Sequence, residues 1–350
     1  MTIARLNKRI NSILTFELLR YRSKKYVHRG GYLIDKNTVF LVFLPATDYY
    51  YLPFFQLYQY ENVVVDFSYV NSNKMLTALM RRVSSDAKYR KFSKTKYDKN
   101  KKYVIFFDGQ YSLGSLDFRE YLQRKYPGCK IIFHLGDLIA TKKGINIDDI
   151  KEFSDLVVTF DHNDANKHNL MYHPDPFSRL PSEMLMASQK KSQIIFYGYA
   201  KNRAKEILRV YDVMKANHIN CDFSIPDIRE EDCISRPELA NANYTPYLNY
   251  LKIVQNTDCI LEIIQKGSLG CTFRTWEAVV YNKRLITNNQ SVREEKFYNP
   301  QYIQVIDSMD DIDVDWLKEN VKVDYEYAEL LSPKACFEFY LECLKNSMGK

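Results

Sequence analysis

The chain has 350 residues, enough for two domains, and its 46% hydrophobic and 27% charged residues are ordinary for a globular protein. Its seven scattered cysteines contain no Cys-x-x-Cys pair, so they indicate buried thiols in a reducing compartment and argue against a zinc site. No apolar run reaches the ~18–20 residues of a membrane span, and charges interrupt the first residues where a signal peptide would be apolar. We therefore expect a cytoplasmic protein.

The net charge of +7 is unevenly distributed along the chain. Residues 1–100 hold 18 Lys/Arg against 7 Asp/Glu, whereas residues 201–350 hold 19 against 24. This asymmetry favours an anionic partner for the N-terminal half, which could be a membrane surface, lipid phosphate or nucleic acid.

The first half begins with an amphipathic pattern in residues 3–22, either a helix packed on the first domain or one lying in a membrane plane. Short apolar runs then alternate with helical patterns. The predicted strands are Val39–Leu44, Val63–Phe67, Val104–Phe107, Lys130–His134 and Leu156–Phe160. The predicted helices are Asn73–Arg82, Leu116–Lys125 and Ile147–Phe153. The alternation indicates a parallel sheet with helices on both faces.

A basic segment, Arg81–Lys102, carries ten Lys/Arg, two Asp and three interleaved aromatic residues. Either it is an ordinary solvated face, or it docks on an anionic membrane surface, where each basic residue contributes about 1 kcal/mol. Tyr and Phe between the charges fit the headgroup zone. The contact residues in the second interpretation are Lys88, Arg90, Lys91 and Lys94.

The pattern lapses between Tyr172 and Lys191, a stretch with three prolines. We place a first domain at 1–180, a linker at 181–191, a second domain at 192–333 and a C-terminal helix within 334–350. The predicted strands of the second half are Gln193–Tyr197, Cys221–Ile225, Cys259–Ile264, Arg284–Thr287 and Ile303–Ile306. The predicted helices are Asn202–Ala216, one capped by Thr245 and opened by Pro246, Thr272–Tyr281 and Lys334–Asn346.

This pattern predicts an α/β fold of two Rossmann-like, doubly wound domains with parallel sheets. A cleft between the carboxyl ends of the two sheets would be the default ligand site.

The most informative stretch, 256–289, reads as strand, glycine-containing loop, helix and strand. Gly267 and Gly270 allow a ligand to approach the backbone, and free N–H groups at the helix start favour anions. Arg274 and Glu277 share one face of the helix, which suits a nucleotide, with the guanidinium on phosphate and the carboxylate on ribose. An ordinary surface ion pair is the other interpretation.

A second strand-to-helix turn, Gly198–Arg203, combines backbone N–H groups with Lys201 and Arg203. It suits a diphosphate, although a cationic first turn exposed to water would have the same sequence.

These residues resemble glycosyltransferases of the GT-B fold, and more narrowly a family of bacterial capsule, exopolysaccharide and lipopolysaccharide transferases. The family pattern is Gly-x-x-Gly-x-Thr-x-Arg-x-x-Glu-Ala followed by Lys-x-Leu-Ile-Thr-x-Asn, and it matches from Gly267 to Asn289. The resemblance covers residues 190–310, and departs where many members have a further glutamate, at Leu269. It implies a GT-B fold and a donor site formed by Glu277, Arg274, Thr272, Gly270, Gly198, Lys201 and Arg203.

An inverting transferase also needs a base for the acceptor hydroxyl. The candidates at strand ends of the first half are Asp108, His134, Asp137, Asp161 and His162, with Asp108 and His134 ranked first. His134 can equally be a core histidine and Asp108 part of a turn. Asp311, Asp313 and Asp315 precede a helical segment, which indicates helix capping and no metal site.

The resulting hypothesis is a transferase that moves a sugar from a nucleotide-diphosphate sugar, its co-substrate, to a lipid-linked or polysaccharide acceptor. It requires no cofactor or metal, expects no nucleic acid, and places the chain at the inner face of the plasma membrane, with the first domain binding the acceptor. Two alternatives remain open: a nucleic-acid- or membrane-surface-binding protein without transferase activity, and a GT-B-like transferase of a polyol phosphate.

Overall fold

The computed structural model describes residues 33–44, 54, 60–67, 89, 95–109, 116–141, 146–185, 191–240, 242–327 and 329–347. The chain divides into two compact units. Unit 1 comprises Met1–Phe160, Asp164–Pro176 and Leu331–Lys350, and unit 2 comprises Asp161–Asn163 and Phe177–Leu330.

The described strands are β1 Thr38–Leu44, β2 Val63–Phe67, β3 Lys102–Asp108, β4 Lys130–Leu135, β5 Leu156–Thr159, β6 Met171–Tyr172, β7 Ser192–Tyr197, β8 Cys221–Ser224, β9 Thr257–Glu262, β10 Arg284–Thr287 and β11 Ile303–Val305. The described α-helices are α1 Leu116–Lys125, α2 Ile147–Phe153, α3 His162–His168, α4 Ala204–Ala216, α5 Glu230–Cys233, α6 Tyr247–Gln255, α7 Phe273–Val280, α8 Val314–Lys318 and α9 Pro333–Ser347.

Unit 1 contains a parallel sheet in the order β2-β1-β3-β4-β5-β6. Six of the seven residues of β3 are buried, as expected for a strand covered on both faces. On one face Phe107 packs between Phe118 of α1 and Phe153 of α2. Elsewhere in the unit, Phe337 of α9 packs against Phe106 at 5.2 Å between ring centroids.

Unit 2 contains a parallel sheet in the order β11-β10-β9-β7-β8. Its core includes Phe196 of β7, Leu261 of β9 and the apolar face of α4. The two sheets confirm the predicted fold of two α/β domains with parallel sheets.

The chain enters unit 2 earlier than the predicted linker at 181–191. Phe177 already packs on Phe273 and Tyr281, and the Arg179 guanidinium donates to the carbonyl of Val280 at 2.7 Å from Nε. The C-terminal helix, predicted as a separate segment, is counted in unit 1.

One local prediction is wrong, and three short elements were not predicted. Helix α6 begins at Tyr247 with Pro246 at the cap position, and no side-chain hydrogen bond caps it, so Thr245 is not the cap. Strand β6 and helices α3 and α5 were not predicted, because β6 and α5 have two and four residues and α3 contains a single apolar residue, Ala165. Helix Asn73–Arg82 and the helix in residues 3–22 lie outside the described residues.

Within the described ranges, no helix combines the length and the apolarity needed to cross a membrane.

Candidate active site

The candidate donor site lies in unit 2, at the carboxyl ends of β7, β9 and β10. Parallel strands end at the same edge of a sheet, so Gly198, Glu262 and Thr287 come together there, and Glu262 is the register partner of Thr287. Helix α7 begins at this edge. Thr272 is its N-cap, and the Thr272 hydroxyl accepts from the backbone N–H of Arg274 at 3.2 Å.

Two guanidinium groups lie close together at this edge. Arg274 stacks on Phe196 with its guanidinium carbon 4.8 Å from the ring centroid, and donates to the Tyr197 carbonyl at 2.6 Å. Arg203 donates to the carbonyls of Ala200, Ile263 and Tyr199. Burial, with the positive charge of Arg274, lowers the pKa of Arg203 to about 10. Two cations held near each other form a site that an anion would stabilise.

Gly198 makes room for the guanidinium of Arg274. Its φ of +141° lies in a region that residues other than glycine rarely adopt. A Cβ at this position would lie 2.5 Å from Arg274 Nη2. Lys201 is exposed and also has a positive φ, of +52°. Its backbone N–H and that of Ala200 both donate to the carboxylate of Asp227, which fixes the turn.

The predicted ribose ligand, Glu277, is 2% exposed. Its Oε2 accepts from the hydroxyl of Tyr250 at 2.7 Å. Burial raises the pKa of Glu277 to about 7, against the opposing effects of the Tyr250 hydrogen bond and the Arg274 charge. The carboxyl group therefore gains and loses its proton near neutral pH. Leu269, at the position where many family members have a glutamate, is 39% exposed.

A further buried carboxylate, not predicted as a site residue, is Glu262, the last residue of β9. Three threonine hydroxyls donate to it. They are Thr272 and Thr275 on Oε1, at 2.5 and 2.8 Å, and Thr287 on Oε2, at 2.6 Å. The signal in the sequence was a single acid inside the apolar run Cys259–Ile264. Because a buried charge requires partners, an acid in a buried strand indicates a hydrogen-bonded site.

Side chains around the glycine loop hold its backbone. Asn289 Nδ2 donates to the carbonyl of Gly270 at 3.0 Å, and Asn163 Nδ2 to that of Gly267 at 2.8 Å. Asp161, one of the lower-ranked base candidates, is fully buried and accepts from the Leu269 N–H and the Ser268 hydroxyl. The loop is thus fixed at several points within unit 2.

The two first-ranked base candidates, Asp108 and His134, form a hydrogen-bonded pair in unit 1. His134 Nδ1 lies 2.6 Å from Asp108 Oδ1, and both side chains are fully buried. Asp175 Oδ1 lies 3.3 Å from the other ring nitrogen of His134. Burial by itself would lower the pKa of His134, but the hydrogen bond and charge of Asp108, with the charge of Asp175, outweigh it and raise the pKa.

The predicted membrane-contact residues Lys88, Arg90, Lys91 and Lys94 lie outside the described residues. Tyr89, between them in sequence, is 8% exposed and stacks on Phe118 at 4.6 Å. Its ring belongs to the core of unit 1, so the expectation that it faces the headgroup zone is wrong.

The acidic residues before α8 act as caps. Asp311 completes a capping box with Ser308, and Asp313 accepts from the N–H groups of Asp315 and Trp316. Among the described residues, no group of three or more His, Cys, Asp or Glu has the arrangement of a metal site.

Neither the protein-family models nor the curated proteins contain a match to this chain. Solved structures do resemble it. An α-glucosyltransferase in complex with UDP and a 13-mer DNA containing an A:G mismatch aligns with a TM-score of 0.52 at 10% identity, over 88% of this chain and 99% of that one. An α-glucosyltransferase with UDP-glucose and abasic DNA gives 0.48 at 10% identity, over the same shares of the two chains.

MurG from Acinetobacter baumannii aligns at 9% identity with a TM-score of 0.39, over 89% of this chain and 99% of that one. The likeness to the α-glucosyltransferase with a TM-score of 0.52 agrees with the two parallel sheets. The fold is therefore the GT-B fold.

Proposed function

We propose that this chain is a glycosyltransferase that takes a sugar from a nucleoside-diphosphate donor bound in unit 2. The observation that carries the proposal is the pair formed by Arg203 and Arg274 at the end of β7, beside the N-terminus of α7. Guanidinium groups bind phosphate oxygens in a planar, two-pronged geometry, and helix N–H groups add donors for the same anion. The UDP-bound α-glucosyltransferase of similar fold supports the assignment.

The chemistry that this site supplies is stabilisation of the leaving group. When the bond between sugar and diphosphate breaks, negative charge accumulates on the diphosphate. Arg203, Arg274 and Lys201 neutralise that charge, which lowers the barrier. No cofactor is needed for this step, and the nucleotide sugar is a co-substrate.

In this proposal Glu277 binds the ribose hydroxyls of the donor. One carboxylate oxygen already accepts from Tyr250, and charged hydrogen bonds contribute about 1.5–3 kcal/mol. The test is calorimetric titration of Glu277→Ala with the nucleotide that binds the wild type. Unchanged affinity in a folded variant would remove the ribose role.

Asp108 and His134 remain the proposed base. A base must come within hydrogen-bond reach of the proton that it removes, and contributes ~10²–10⁴-fold in rate. For Asp108→Asn we expect kcat to fall by that factor while the melting temperature changes by only a few degrees. A collapse of the melting temperature with normal residual kcat would instead make the pair a structural element of unit 1.

The proposed acceptor is a lipid-linked or polysaccharide chain of cell-surface glycan synthesis, of the capsule or lipopolysaccharide type, reached at the inner face of the plasma membrane. The resemblance of 190–310 and the basic segment 81–102 motivate it. Neutralising Lys88, Arg90, Lys91 and Lys94 together should release the protein from anionic vesicles, at about 1 kcal/mol per charge. Undiminished vesicle binding rejects the docking segment.

A nucleic-acid acceptor or partner is the second candidate, because the first hundred residues are strongly basic and a structure of similar fold contains DNA. Binding of labelled oligonucleotides at fixed salt, against vesicles, separates the two. Transfer of a polyol phosphate is a third possibility, which a donor panel including CDP-polyols tests.

Thermal stabilisation by UDP, GDP, ADP, CDP and dTDP and their sugars tests the central proposal. A ligand at 100 times its Kd stabilises the native state by about 2.7 kcal/mol. We expect one nucleoside diphosphate to raise the melting temperature by several degrees and the matching nucleoside to do so far less. A panel without any shift contradicts the proposal.

A further inference from the structure

Glu262 stands out among the buried polar groups of unit 2. It is 1% exposed, and both of its oxygens accept hydrogen bonds from neutral hydroxyls. A buried carboxylate is costly unless donors satisfy it, and two of the three hydroxyls that do so here also accept from backbone N–H groups.

Two chains of hydrogen bonds run from Glu262 to the donor loop. In the first, the Thr272 hydroxyl donates to Glu262 and accepts from the backbone N–H of Arg274. In the second, the Thr287 hydroxyl donates to Glu262 and accepts from the N–H of Asn289, whose side-chain amide donates to the carbonyl of Gly270. Glu262 thus holds both the glycine loop and the first turn of α7.

The direction of these bonds matters as much as their number. A threonine hydroxyl has one proton, and when that proton goes to the carboxylate, the oxygen lone pairs remain free to accept from the backbone. The acceptor-only carboxylate therefore orients Thr272 and Thr287 so that both can accept N–H groups at the donor site.

We propose that Glu262 is a positioning residue that orients the glycine loop and the start of α7 for the donor diphosphate. The identity of the ligand rests on the proposed function, whereas the effect of Glu262 on the loop does not depend on it. It assigns to Glu262 no contact with the donor and no part in proton transfer.

Three variants separate the hydrogen bonds from the charge. Glu262→Leu removes both, Glu262→Gln removes the charge but keeps an acceptor oxygen, and Thr287→Val keeps the charge but breaks the chain to Gly270. Asp212→Asn is the control, because Asp212 accepts two bonds from Arg236 in the same unit and none of the hydrogen bonds described for it reaches the loop.

The first measurement is amide hydrogen exchange without nucleotide. We expect exchange in 267–275 to speed up about tenfold or more in Glu262→Leu and Thr287→Val, less in Glu262→Gln, and not at all in Asp212→Asn. Unchanged exchange in a folded Glu262→Leu overturns the proposal, whichever ligand the protein binds. If Glu262→Leu does not fold, Thr287→Val decides in the same way.

The second measurement is the affinity for the nucleoside diphosphate that stabilises the wild type. We expect a loss of about tenfold or more for Glu262→Leu, with partial rescue by Glu262→Gln. A charge that merely repels the diphosphate predicts the opposite sign, because both neutral variants would then bind more tightly and equally well, and that result overturns the proposal. If the wild type binds no nucleotide, the proposed function is wrong. The hydrogen-exchange data still decide whether Glu262 positions the loop.

Discussion

At the scale of single residues, unit 2 brings buried carboxyl groups and guanidinium groups to the same edge of its sheet. Glu262 is a carboxylate surrounded by hydroxyl donors, whereas Glu277 is a carboxyl group whose pKa burial raises to about 7. Arg203 and Arg274 are like charges held together by backbone carbonyls and an aromatic ring. The two like charges cost free energy in the unliganded protein and favour an anionic ligand at the same edge of the sheet.

The raised pKa of Glu277 predicts a pH-dependent stability. The folded state binds the proton more tightly than the unfolded chain, whose pKa is 4.5, so the free energy of unfolding falls as pH rises from about 4.5 to about 7 and is flat above. The span is on the order of 3 kcal/mol. We expect Glu277→Gln, which keeps a partner for Tyr250, to be more stable than the wild type by an amount that grows from pH 5 to pH 7.

Urea denaturation at pH 5, 6, 7 and 8 measures this difference. Glu238→Gln is the control, because hydrogen bonds from Tyr211, from the backbone of Glu238 and from Lys215 lower the pKa of Glu238 to about 2. That group stabilises fully above about pH 4.5 and loses its effect only as pH falls further, so its variant should differ from the wild type by a constant amount from pH 5 to pH 8. A constant difference for Glu277→Gln as well would contradict the prediction.

Gly198 gives a second prediction at this scale. In Gly198→Ala the new Cβ would meet Arg274 Nη2 at 2.5 Å, and the backbone would adopt a φ that alanine disfavours. We expect Arg274 to leave the Tyr197 carbonyl and nucleotide affinity to fall about tenfold, equivalent to 1.4 kcal/mol. Gly128→Ala, at a positive φ with open space around it, controls for backbone strain. Equal affinities of Gly198→Ala and the wild type in calorimetry would show that this close approach has no role in binding.

At the scale of elements, much of the fold was predictable from the sequence. Strands buried on both faces read as apolar runs, and β2 and β10 as well as helices α1 and α2 have the predicted bounds. The prediction failed where a tertiary contact decides. Glu262 was read as part of an apolar strand, since only the fold brings Thr272 and Thr275 at the start of α7 and Thr287 of β10 to it.

The start of β1 and β2 shows how one side chain joins two elements. Asn62 is 7% exposed, donates to the carbonyls of Leu33, Asp35 and Thr38, and accepts from the N–H of Leu33. Since buried groups left without partners cost about 1–3 kcal/mol, we expect Asn62→Ala to destabilise unit 1 by roughly 3 kcal/mol. Asn220→Ala, which removes one exposed bond to Lys191, should cost less than about 1 kcal/mol. Similar urea midpoints for the two variants would refute this.

At the scale of the whole molecule, the order of the sequence and the order of the fold diverge at the C-terminus. Helix α9 follows unit 2 in the chain but is counted in unit 1, where Phe337 contacts Phe40 and Phe106 at 5.2 Å each. Sequence periodicity identified the helix but not its place, because an amphipathic pattern gives the buried face of a helix and not its partner. The C-terminal segment thus stabilises the unit in which the chain begins.

This arrangement predicts that a core mutation in α9 acts on unit 1. Phe337 is fully buried, and Phe→Ala in a core costs about 3–5 kcal/mol. In Phe337→Ala we expect native-state hydrogen exchange to speed up in β1, β3 and β4, while β7 and β9 keep their protection. Leu330→Ala is the matched control, because Leu330 is the last residue of unit 2 and is 69% exposed, so exchange should stay as in the wild type. Faster exchange in β7 and β9, with β1 and β3 unaffected, would show that α9 stabilises unit 2 and would contradict the prediction.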